Sequence, residues 1–144
     1  MGRALVLIAA MVAGACSSEG GTNPDPVLSV GGTYRTAVTM VQNTCPGQTV
    51  QQFSTVVNHE PGSTSLSLTH AGSTYTGAID PDATFTTTQV TQVFDGITYA
   101  ISISGRFSLT DMDAQVHVAA SRQPPCTFTA RWAGPKDGDP NVIP

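Results

Sequence analysis

Positive charge is scarce in this chain. Six Lys and Arg stand against ten Asp and Glu in 144 residues, a formal net charge of −4. Beyond residue 16 the cations are Arg35, Arg106, Arg122, Arg131 and Lys136 alone. They form no basic patch and no aromatic residues interleave with them, which argues against nucleic acid as a partner and against a polybasic membrane-binding face. Cysteine is equally sparse, at three, with no CxxC spacing and no His beside Cys45 or Cys126 in sequence. A cysteine-based metal site has no support in that pattern. Long apolar runs are missing as well. The stretch Ala4 to Ala13 is too short for a bilayer-spanning helix, which needs roughly 20 residues.

Catalytic motifs are also wanting. No Gly-x-Ser-x-Gly elbow, phosphate-binding glycine loop or Cys–His nucleophile pair occurs. His59-Glu60 begins like a zinc-protease helix, but Pro61 follows and no second His stands four residues on. His59, His70 and His117 are scattered and read as solvated strand or turn residues. Asp80 and Asp82 flank Pro81 in a turn sequence, without the remaining ligands of a Ca²⁺ loop. No catalytic residue, metal site or cofactor is expected. An enzyme would need a cleft that gathers His59, Asp80 or Asp82, and His117.

What the chain does have begins at its N-terminus. Arg3, the apolar run and Ala13-Gly14-Ala15 before Cys16 read as a secretory signal over 1–15. The segment resembles the lipobox of bacterial lipoproteins, with Ala13 where that family has Leu. The resemblance implies diacylation of Cys16, cleavage before it and attachment to the membrane of the cell envelope. Ser17, in place of Asp, goes in that family with sorting to the outer membrane. The alternative is an ordinary cleaved signal that leaves Cys16 as a free thiol. Residues 17–26 contain no apolar side chain and extend into a flexible tether over 16–30.

With Cys16 assigned to lipid, Cys45 and Cys126 remain as a pair, expected to bridge in an exported protein. Alternation with period two pervades the chain between them. Ile97, Tyr99, Ile101, Ile103 and Phe107 share one face of a segment whose other face is Thr98, Ala100, Ser102, Ser104 and Arg106. Asp95-Gly96 just ahead of it is a type I′ hairpin signal. Eight strands are expected at 33–43, 49–59, 64–70, 73–79, 83–93, 97–108, 112–121 and 126–133. A bridge from the end of the first to the start of the last suits an all-β, antiparallel, up-and-down meander that closes into a small barrel over 31–134. A two-sheet β-sandwich is the alternative, although the buried Trp expected there between the cysteines is missing. Residues 135–144 read as a disordered tail.

Gly32-Thr33-Tyr34 resembles the Gly-x-Trp that opens the first strand of lipocalins, with Tyr in place of Trp. The resemblance implies that Arg131, near the end of the last strand, packs over the Tyr34 ring. It further implies a non-enzymatic binding module. Tyr34, Met40, Phe53, Tyr75, Ile101, Met112 and Trp132 are the candidates to line a cavity for a small apolar molecule. The competing expectation is that these residues are a filled core, in a structural protein whose outer face contacts an envelope partner. A monomer is expected in either case.

Overall fold

Side chains that alternate apolar and polar along an extended chain make a sheet with one wet face, and such a sheet must roll up or pair to bury the other. The computed structural model describes residues 20, 21 and 23–144. The signal segment, Cys16 and Ser17 lie outside them. The fold is all-β and antiparallel throughout, with the strands β1 (Gly32–Tyr34), β2 (Ala37–Asn43), β3 (Thr55–Asn58), β4 (Ser65–His70), β5 (Ser73–Ile79), β6 (Thr84–Thr87), β7 (Val90–Phe94), β8 (Ile97–Phe107), β9 (Asp111–Ala120) and β10 (Cys126–Pro135). The pairing order is β1-β3-β4-β5-β6-β8-β9-β10-β2, with β7 on β8. No helix among the described residues is long and apolar enough to cross a membrane.

The two ends of that order, β1 and β2, are neighbouring pieces of one chain segment. β1 pairs with β3, while β2 pairs with β10 from Asn43↔Phe128 to Ala37↔Ala133. Past the end of β10 the pairing carries on to β1, through a Tyr34↔Lys136 bridge and hydrogen bonds from Arg35 N to Pro135 O and from Asp137 N to Thr33 O. The sheet therefore curls into a barrel-like ring whose seam is segment 32–43. That segment was expected as one strand. Its two halves face different partners, so it bends at Arg35, where Thr36 N donates to Tyr34 O. The expected strand 83–93 is likewise split, into β6 and β7. The second expected strand shrinks to β3, and residues 44–54 form a loop.

Curvature comes from close approach. Gly77 of β5 and Gly105 of β8 sit where a Cβ would lie 2.2 Å from Thr86 O and 2.5 Å from Asp113 O. Only a bare backbone lets the neighbouring strand turn that tightly. The hairpin at Asp95-Gly96 has both residues at positive φ, 49° and 74°, with Phe94 paired to Ile97. This is the type I′ geometry that its sequence calls for.

Inside the ring, β9 shows strict alternation. Met112, Ala114, Val116, Val118 and Ala120 are buried, with Asp113, Gln115, His117 and Ala119 outside. One end of the barrel is a closed floor. Tyr34 and Phe107 pack there with ring centroids 5.4 Å apart, and Leu28 and Val30 fill in beneath them. The Tyr34 hydroxyl shares its one hydrogen between Val30 O at 2.7 Å and Asn141 Oδ1 at 2.8 Å, while Asn141 Nδ2 donates to Ser108 O. Both expected boundaries are thereby corrected. The domain begins by Leu28, inside the segment read as tether, because Leu28 and Val30 are core residues. Residues 135–144 are docked rather than disordered, because Asn141 is buried, Val142 bridges Ser29 and Ile143 packs on the core. The other end is a mouth, formed by the β4–β5 and β7–β8 hairpins, loop 44–54 and the β9–β10 connection.

The bridge Cys45–Cys126 is present at this mouth, with its Cα atoms 5.1 Å apart. It ties loop 44–54 to the start of β10. A disulfide of this kind belongs to an oxidising, exported environment.

Candidate functional site

Near the mouth the inward-facing side chains leave space between them. An apolar concavity of about 220 Å³, open to solvent, lies between Val38, Ile101, Val116, Val118, Phe128, Ala130 and Trp132 on the strands and Val50 and Phe53 on loop 44–54, with Tyr75, His70, Ala71 and the exposed Gln51 completing its wall. Besides Thr44 on Thr127 and Arg122 on Pro46 O, three contacts hold the loop across the opening. One is the disulfide. The second is Gln52, whose side-chain amide accepts from Val38 N and donates to Val38 O, both at 2.8 Å. The third is Thr36 Oγ1, which donates to Phe53 O at 2.7 Å.

His70 is the one ionisable nitrogen in this wall, and it is 7% exposed. Its ring stacks on Trp132 with centroids 3.8 Å apart and planes 14° from parallel. Phe53 meets the imidazole edge-on, and Tyr75 meets the indole edge-on. Burial pushes the His70 pKa down to about 4, so the ring is neutral at physiological pH. Its Nδ1 lies 2.9 Å from Thr55 Oγ1, which lies 3.0 Å from Thr36 Oγ1.

The direction of this chain follows from donor counting. Thr36 spends its only hydroxyl hydrogen on the Phe53 carbonyl, so it accepts from Thr55. Thr55 has then spent its own hydrogen, so it accepts from His70 Nδ1–H. The imidazole is the Nδ1–H tautomer, and Nε2 carries a lone pair. Nε2 has no hydrogen-bond partner among the described residues and is not among their sealed polar atoms, so it faces the cavity.

Of the candidate lining residues, the structure brings Phe53, Tyr75, Ile101 and Trp132 together here. Tyr34 and Met112 are fully buried at the floor end, and Met40 is half-buried on β2 outside the cavity wall. The reading of all three histidines as solvated fails at His70. It continues the inward series Leu66, Leu68, and that parity was the available signal. His117 is exposed and bonds Thr129 on the outer face. His59 staples the floor, taking the Val30 N–H on Nδ1 while Nε2 bonds Ser63 O.

Arg131 does not cover Tyr34. It points outward, and its guanidinium donates to both oxygens of Asp113 at 2.8 and 2.6 Å, which holds the Asp113 carboxyl below its ordinary value. The outward position follows from the register, in which Arg131 pairs with Gln115 while Ala130 and Trp132 face in. Lys136 is a cation at the floor end, and its side chain lies over Gly32.

Among the described residues no cavity gathers the residues an enzyme would need. His59 borders one outer-face depression and His117 another, and Asp80 and Asp82 lie in the β5–β6 turn. Asp82 accepts from both the amide and the hydroxyl of Thr84, which lowers its pKa. Among the described residues no three His, Cys, Asp or Glu come together as metal ligands. No known protein family, curated protein or solved structure matches the chain.

Proposed function

We propose that this chain is an exported, lipid-anchored binding protein that takes one small apolar molecule into the mouth of its barrel. The observation that carries this reading is the concavity itself, walled by apolar and aromatic side chains around the buried His70 imidazole. Few polar groups in an apolar concavity is the usual make-up of a small-molecule site. Loop 44–54, fastened by the Cys45–Cys126 bridge, gives that cavity a roof. The lipobox-like Cys16 supports the anchor. The chain enters the domain at the floor, so an anchor at residue 16 leaves the mouth at the opposite end. Sorting to the outer membrane is the part of this reading that rests on Ser17.

Trp132 is the chain's only Trp and lines the cavity, so its fluorescence reports occupancy. Titration with a small hydrophobic dye is expected to quench it saturably, and mass spectrometry of a denaturing extract is expected to release a co-purified small molecule. No quenching and no released molecule would remove the ligand reading. Palmitate labelling lost in Cys16→Ala supports the anchor, and unchanged membrane partitioning of that variant overturns it.

One observation favours a second reading, a structural protein that contacts an envelope partner. Val93 and Phe94, at the tip of the β7–β8 hairpin, are 69% and 68% exposed. A photo-crosslinker at position 94 that captures one envelope protein, in a chain that binds no dye, would decide for it.

A further inference from the structure

We propose that the mouth selects a ring-sized apolar molecule bearing one O–H or N–H group, whose hydrogen is accepted by His70 Nε2. This rests on the small-ligand reading above and names the chemistry of that ligand. Three observations carry it.

The first is the relay. Phe53 O, Thr36 and Thr55 absorb hydrogens in sequence and fix the imidazole with Nδ1–H outward to the wall and a bare Nε2 inward. A lone pair in an apolar pocket rewards a donor and offers nothing to an acceptor. The second is the absence of any charged group or other imidazole in the lining. Gln51 is exposed, and the Tyr75 hydroxyl and the Trp132 indole N–H are the other polar side-chain groups beside the imidazole. A carboxylate ligand would find neither a cation nor a donor at His70. The third is size and shape. A sealed apolar cavity of about 150 Å³ holds benzene, and this open concavity of about 220 Å³ has room for one ring between the flat His70–Trp132 stack and the Tyr75 and Phe53 rings. Phenols, aromatic alcohols and indoles share the required features.

The test is a pair of near-isosteric probes, p-cresol and 4-fluorotoluene, followed by Trp132 fluorescence on the folded protein. The wild type is expected to bind p-cresol about tenfold more tightly, the value of one hydrogen bond. In His70→Phe the two affinities are expected to converge, with 4-fluorotoluene still bound. Equal affinities in the wild type would overturn the donor-selective site while leaving the small-ligand reading in place. No response to either probe at millimolar concentration would overturn that reading and the selectivity with it. Two-bond ¹H–¹⁵N correlations of the wild-type imidazole give an answer that needs no variant. Nδ1–H with bare Nε2 is expected, and an Nε2–H tautomer overturns the proposal.

Discussion

The His70 imidazole lies flat against the Trp132 indole, 3.8 Å from it, and is the one ionisable nitrogen lining the concavity at the barrel mouth. The stack couples the protein's stability to pH. His70 is neutral in the fold down to about pH 4, whereas in the unfolded chain it takes a proton near 6.5. Its folded pKa is depressed, so between these values the unfolded state binds the extra proton. Stability is then full above about pH 6.5 and falls as the pH drops toward 4, by about 3 kcal/mol. Urea unfolding at pH 7.5, 5.5 and 4.5 checks this, and His70→Phe should flatten the profile in that window. Asp82 and Asp113, whose pKa values are lowered, act in the more acidic range and leave the window to His70.

Ala71 precedes Gly72 in the β4–β5 hairpin, with φ of 49° and 79°, and His70 pairs with Ser73 across it. A left-handed alanine is strained by about 1–2 kcal/mol, and Asn-Gly is the pair that suits this turn best. Ala71→Asn is expected to raise stability by about 0.5–1 kcal/mol, read as a higher urea midpoint with an unchanged slope.

Asn141 is the pin that holds the C-terminal segment to the floor. Asn141→Ala removes its bonds to Tyr34 and Ser108 and leaves the Ser108 carbonyl short of its donor. The expected cost is about 2–3 kcal/mol. Limited proteolysis should then cut within 136–144 before the barrel unfolds, while the wild type resists there.

Much of the fold was legible in the sequence because its signals are local. Asp95-Gly96 names its own turn, Ile97 to Phe107 alternates without a break, and Cys45 with Cys126 announces the bridge. What was not legible depends on closure. Nothing in residues 33–43 says that one half must pair with β3 and the other with β10, so the bend at Arg35 is invisible until the ring exists. The tail misled because its Pro and Gly content reads as loose chain, although loose-looking backbone can still carry one buried Asn. At the site, four of seven candidate lining residues were found by size and hydrophobicity. His70 was passed over because residue type was weighed ahead of its parity with Leu66 and Leu68.

The Cys45–Cys126 bridge closes a sequence separation of 81 residues. Its removal by Cys45→Ser with Cys126→Ser is expected to cost about 4 kcal/mol in the chain-entropy model. The first region to loosen should be loop 44–54. Hydrogen exchange there should quicken more than in β9, and dye affinity at Trp132 should fall with it. Unchanged loop protection in that variant would show that the loop's hydrogen bonds, those of Gln52, Thr36, Thr44 and Arg122, hold it without the bridge.

Gln52 has a consequence of its own. β2 leaves β3 behind after the bend, so Val38 would present its amide and carbonyl to whatever strand came alongside. The Gln52 side chain occupies both groups in the manner of a short surrogate strand. An edge so occupied cannot serve as a template for another chain at that register point. The glutamine thus shields this point of the seam from pairing with a second copy of the chain.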